Sequence, residues 1–126
     1  MTAERHPGTP VNLSLARDVV KAQVLMRAWL GRCEWCGKDL PADAHHRLAA
    51  AHLGQYLPWV LAAVSRRCHD YIHAHPVEAR DRGFIVESCD DPATKPVLLW
   101  NGMKARLDEH YGYEILEWNV PLPVLG

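Results

Sequence analysis

The sequence predicts an α+β fold, and three observations from successive parts of the chain predict it. Apolar residues Leu15, Val19, Val20, Val24, Leu25, Trp29 and Leu30 recur at helical spacing ahead of Gly31. A central stretch gathers cysteine and histidine: Cys33-x2-Cys36, then His45-His46, then Cys68-His69 with His73 four residues on. Beyond Gly83 the pattern changes to short runs of β-branched and aromatic residues divided by turn residues.

Taken in order, residues up to about Pro10 are polar and proline-containing, and are expected to form a loose arm. A first helix is expected over about 11–31, with Asn12 or Ser14 as its cap and Gly31 as its stop. The Cys33 to Cys36 knuckle follows, with Gly37 available for its tight turn. Lys38 to Arg47 reads as a short hairpin with Leu40-Pro41 near the bend. Leu48 to Leu57 reads as a short helix or a loop, Pro58 interrupts it, and Val60 to Val64 reads as a brief buried strand or continued helix. Arg66 to Ala74 is a second helix stopped by Pro76, and Val77 to Arg82 a further helical turn. In the tail, Phe84 to Glu87, Pro96 to Trp100 and Tyr113 to Trp118 read as strands, Asn101-Gly102 as a turn, and Lys104 to Tyr111 as a helical segment.

At 126 residues the chain suits one compact domain, 1–126, with decorated ends. Hydrophobic residues at 48% and charged residues at 23% are ordinary for a globular protein and exclude disordered and collagen-like classes. No apolar run approaches the roughly 20 residues that span a bilayer, and Met1 to Pro10 has no apolar signal core. No membrane association is expected, and the expected location is cytoplasmic. The net charge of −1 is unevenly spread. Arg27 to Arg82 carries eight basic residues against six acidic, whereas Gly83 to Gly126 carries three against seven. That asymmetry permits a phosphate-facing surface around the histidines.

Four cysteines, Cys33, Cys36, Cys68 and Cys89, with no secretory signal read as metal ligands or free thiols and not as disulfides. A redox Cys-x2-Cys needs a βαβ setting that this pattern lacks. Residues four apart on a helix are turned by about 400° and raised by about 6 Å, so His69 and His73 share one face. One divalent ion could then touch both.

In Cys33-x2-Cys36, His45-His46-Arg47 and Cys68-His69-Asp70-Tyr71-Ile72-His73-Ala74-His75-Pro76, the chain resembles the HNH endonucleases, especially the small phage-encoded branch. The resemblance runs from about Gly31 to Val86. Gly83-Phe84-Ile85-Val86 and Asp91-Pro92-Ala93 also resemble the tail of that branch. It implies a ββα-metal finger over 32–82, flanked by the N-terminal helix and a β-rich antiparallel addition over 83–126. It implies a metal-dependent DNA endonuclease hydrolysing phosphodiester bonds, with His46 as general base and His45, His69 and His73 as ligands of a catalytic cation. Three imidazoles suit Zn²⁺, Ni²⁺ or Mn²⁺, whereas Mg²⁺ prefers oxygen. Cys33, Cys36 and Cys68 match ligands of a structural zinc. Arg47, Arg66 and Arg67 are the expected phosphate contacts, and DNA the expected partner, with a phage packaging or host factor as a further one.

Two positions depart from the family pattern. Ser65 stands where the second Cys-x2-Cys pair would begin, and a serine hydroxyl is a poor zinc ligand. Water or His52 would then complete the site, or nothing. Val60 stands where the family commonly has the asparagine that ties the loop bearing its general base, with Gln55 as a conceivable substitute. These departures define the competing expectation, a catalytically degenerate binding module that kept its metals.

Overall fold

The protein, seen in a computed structural model, is described over residues 13–28, 31–48 and 56–118. The arm, Asn12, His52 and Gln55 lie outside the described residues, as does most of Leu48 to Leu57. The elements are mixed α and β: α1 (Leu13–Arg27), β1 (Asp43–His46), β2 (Leu61–Val64), α2 (Arg66–Ala74), α3 (Pro76–Asp81), β3 (Val97–Leu98), β4 (Met103–Leu107) and β5 (Tyr113–Trp118). No helix among the described residues is long and apolar enough to cross a membrane.

The centre of the fold is β2, whose sequence Leu-Ala-Ala-Val is wholly buried. A strand with both faces covered reads as a continuous apolar run, which is why periodicity alone left its type open. Its alternation serves two cores. Leu61 and Ala63 pack with Val24 and Ala28 beneath α1. Ala62 and Val64 pack with Cys33, Trp35, Cys68, Ile72 and Phe84 on the other side. β1 pairs antiparallel with β2, Asp43 opposite Val64 and His46 opposite Leu61. The expected hairpin over Lys38 to Arg47 is thereby corrected: its second half forms β1, and the partner strand lies beyond Pro58. Burying β2 against β1 satisfies more apolar surface than a local hairpin could, since Leu40 is exposed.

A buried ion pair staples these layers. Arg27, the last residue of α1, donates from Nε and Nη2 to both Glu34 carboxylate oxygens at 3.0 Å, and also to the carbonyls of Pro58 and Leu61. Glu34 in turn accepts from the Ala63 amide at 2.7 Å and from the Tyr113 hydroxyl. Helix, knuckle, β2 and β5 thus share one charge network, which removal of either partner would leave with a buried unpaired ion.

The second sheet is antiparallel in the order β3-β4-β5. Lys104 to Tyr111, expected as helix, is corrected to strand over its first part. Met103, Ala105 and Leu107 alternate into the core at period two, and Asp108 then turns the chain by accepting from the amides of His110 and Gly112. Phe84 to Glu87 is likewise not a ladder strand. Val86 makes one parallel bridge to Leu48, donating its amide to the Arg47 carbonyl, while the Phe84 carbonyl is taken by a histidine side chain. Gly83 sets this segment. It has φ +79°, and a Cβ there would lie 2.0 Å from the Pro96 carbonyl oxygen, so only glycine lets the two stretches pass.

Candidate metal centre

Ser65 begins α2 as its N-cap, with extended φ −69° and ψ 161° and its side chain accepting from the Cys68 amide. That capped start fixes the helix phase. Cys68 and Ile72 face the core, while His69 and His73 turn toward the end of β1. There the His45 ring lies with its centroid 5.0 Å from His69 and 5.3 Å from His73, and those two are 4.9 Å apart. One ring nitrogen from each of the three lies within 4.8 Å of the others. The sequence-predicted histidine triad is brought together.

The atoms that remain unsatisfied identify what the triad is built to hold. His45 is 1% exposed, and its Nε2 is 2.8 Å from the Phe84 carbonyl, which can only accept. The ring is therefore the Nε2-H tautomer, and its Nδ1 presents a lone pair. That Nδ1 is buried with no hydrogen-bond partner. An orphaned buried acceptor costs about 1–3 kcal/mol, a cost that a cation in front of it removes. Burial pushes the His45 imidazole down to about 3, so it is held in the neutral, metal-ligating form. His69 directs its Nδ1 at Asp43 Oδ2, 2.9 Å away, which leaves Nε2 for an ion. His73 is exposed, so the cluster opens to solvent on one side. The three histidines could hold a metal ion with one side of it open to solvent.

Asp43 was not singled out by the sequence, although alternation along β1 puts it two residues from His45 on the same strand face. Its Oδ2 receives His69 and also Arg66 Nη1 at 3.0 Å. Carboxylate partners of this kind fix ligand tautomer and ring direction. Asp43→Asn is accordingly expected to weaken Mn²⁺ or Ni²⁺ binding at the triad by about 10–100-fold. Calorimetric titration checks it, and an unchanged affinity would deny Asp43 that role.

His46, the expected base, is half-buried and outside the ligand triad, with its ring edge-on to Tyr56 at 5.3 Å. Tyr56 is a second residue that spacing did not reveal. Val60 is fully buried; its amide donates to the Leu57 carbonyl and its own carbonyl accepts from the Arg47 amide.

Arg47 corrects an expectation. It is 0% exposed, and its guanidinium donates to the carbonyls of Gly83, Trp59, Pro92 and Lys95. It ties loops together and presents nothing to a phosphate. Arg66 and Arg67 are both exposed at the start of α2, Arg66 paired with Asp43 and Asp70 and Arg67 with Asp39. Exposed ion pairs are worth about 0–1 kcal/mol, so a phosphate can compete for either side chain. His75 is exposed, stacks on Tyr71 and ends α2, and Cys89 is an exposed free thiol.

The second cluster is Cys33, Cys36 and Cys68, whose sulfurs lie within 4.8 Å of one another. Gly37 makes the knuckle turn at φ +67°, donating to the Cys33 carbonyl at 2.8 Å, and the amides of Lys38 and Asp39 donate to Cys36 Sγ. Burial pushes the Cys68 thiol up to about 12, and the crowding of neighbouring sulfurs adds to it. Three sulfurs so placed could hold a metal ion together.

Comparison with protein-family models, with curated proteins and with solved structures gives no match. The functional reading rests on the residues themselves.

Proposed function

We propose that the chain is a metal-dependent DNA endonuclease of the HNH type, its β1, β2 and α2 forming a ββα-metal finger. The observation that carries this reading is the triad His45, His69 and His73, with a buried, partnerless Nδ1 aimed into it and His46 next along the strand. His45 Nδ1, His69 Nε2 and a His73 nitrogen would hold a divalent cation. When bound, it supplies charge neutralisation at the scissile phosphate and at the leaving 3′ oxygen. His46 takes the proton of the attacking water, a task suited to a group with a reference pKa near 6.5. Asp43 keeps His69 in the ligating tautomer. Arg66 and Arg67, on the exposed start of α2, meet the DNA backbone, and the thiolate cluster holds a structural zinc that anchors the knuckle to α2.

The test is nicking of supercoiled plasmid by wild type and by His69→Ala with Mn²⁺, Ni²⁺, Mg²⁺ or Zn²⁺ added singly. Relaxed circles are expected with at least one ion for wild type, and none above background for the variant. Wild type that nicks with no ion, or equal nicking by both, overturns the proposal. Val60 and Ser65 favour a second reading, a finger that binds metal and DNA without cutting. Metal-dependent DNA retention with no cleavage is its signature.

A further inference from the structure

Among the described residues the cysteine cluster has no fourth ligand within reach, and the residue at the expected corner is committed elsewhere. The Ser65 hydroxyl accepts from the Cys68 amide at 3.1 Å and donates to Asp39 Oδ2 at 3.0 Å. A hydroxyl used on both sides and protonated near neutral pH has little to offer a cation. What it holds instead is a carboxylate. Asp39 sits in the same knuckle, three residues after Cys36; its amide donates to Cys36 Sγ, and its carbonyl accepts from the Cys33 amide at 2.8 Å.

The bonds to this carboxylate are one-sided. Ser65 Oγ, Arg67 Nε and Arg67 Nη2 all go to Oδ2, at 3.0, 3.0 and 2.9 Å. The carboxylate also has a side-chain hydrogen bond with Cys36, one of the three cysteines of the cluster. We infer that Asp39 is the fourth ligand of the metal held by Cys33, Cys36 and Cys68, its carboxylate kept beside the knuckle by Ser65. The carboxylate lies outside the group of atoms within 4.8 Å of one another, so ligation requires a turn about the Asp39 side-chain torsions. Oxygen is an acceptable zinc ligand beside three sulfurs. The Arg67 guanidinium offsets the extra negative charge. The pattern then reads Cys-x2-Cys-x2-Asp with Ser-x2-Cys, in which the serine holds the ligand it does not itself supply.

The inference rests on the thiolate cluster being a metal site, and the experiment separates the two. Titrate the whole reduced protein with Co²⁺, reading the thiolate-to-metal charge-transfer absorption, which reports sulfur ligands alone, and the d–d bands, which report the whole ligand set, and obtain Zn²⁺ affinity by competition with a chromophoric chelator. Wild type is expected to show the spectrum of three sulfurs and one oxygen. Asp39→Asn keeps the size of the side chain and its contact with Ser65. It is expected to alter that spectrum and to lower zinc affinity by at least the roughly 10–100-fold that loss of an outer partner costs. Arg67→Ala, which removes the ion pair alone, should leave the spectrum unchanged. Ser65→Cys combined with Asp39→Asn should restore affinity with a four-sulfur spectrum. Wild type without charge-transfer absorption overturns both the metal site and the ligand. Charge-transfer absorption in both proteins, with d–d bands and zinc affinity the same in wild type and Asp39→Asn, overturns Asp39 alone and leaves the metal site standing.

Discussion

Substituting alanine for His46 is expected to lower metal-dependent strand cleavage by about 10²–10⁴-fold, the range that a positioned general base contributes. Metal affinity at the histidine triad is expected to stay within about threefold of wild type, because a second-sphere partner worth less than roughly 10-fold is not holding a ligand. The division follows from the strand. β1 presents His45 to the core, where its ring meets His69 and His73, and sets His46 against Tyr56, outside the ligand group. Cleavage rates at saturating metal, together with calorimetric titration of each variant, separate the two effects. A His46→Ala protein that nicks at the wild-type rate with the same metal would remove His46 from the reaction. Equal loss of metal and activity would make it a ligand.

The parts of this fold legible in the sequence are those whose signals are local. The four-residue spacing of His69 and His73 and the stop at Pro76 mark α2, and Arg66 to Ala74 is found as expected. The meeting of His69 and His73 follows from helix geometry alone, and the Cys33 to Cys36 turn from Gly37. What was not legible depends on distant contacts. β1 has no apolar alternation, since Asp-Ala-His-His is a strand only because β2 lies beside it. The period-two signal of Met103, Ala105 and Leu107 competes with polar residues that also suit a helix, and the sheet decides the outcome. For the site, residue type identified the ligands but not their holders. Asp39 and Asp43 look like any exposed acids in the sequence; only the fold brings one to Ser65 and the other to His69. Arg47 is the opposite case, a cation beside a histidine pair that the fold turns inward.

Arg47→Met is expected to destabilise the protein by about 3–5 kcal/mol, a size usual for breaking a buried charged network. Burial pushes the guanidinium down only to about 10, so at neutral pH it remains charged in a wholly enclosed place with no carboxylate bonded to it. Four main-chain carbonyls solvate it instead, from Trp59, Gly83, Pro92 and Lys95, at 2.7 to 3.1 Å. Methionine fills much of the same volume and satisfies none of them, and each orphaned buried carbonyl costs about 1–3 kcal/mol. Urea denaturation should show the loss, with a fall in melting temperature of roughly 10 °C. Arg47→Lys should fall between, because one ammonium cannot reach all four oxygens from a single point. The same substitution should also weaken the histidine triad. The Arg47 amide bonds to Val60 and its Nη1 to Trp59, so this residue joins the end of β1 to the turn that carries Trp59 and Val60. Its Nε holds Gly83, next to the Phe84 carbonyl that sets the His45 tautomer. Loosening that carbonyl frees the His45 ring to turn, and Ni²⁺ affinity should drop along with stability. A variant that loses less than about 1 kcal/mol would mean that water reaches these carbonyls and that Arg47 is not what joins the loops.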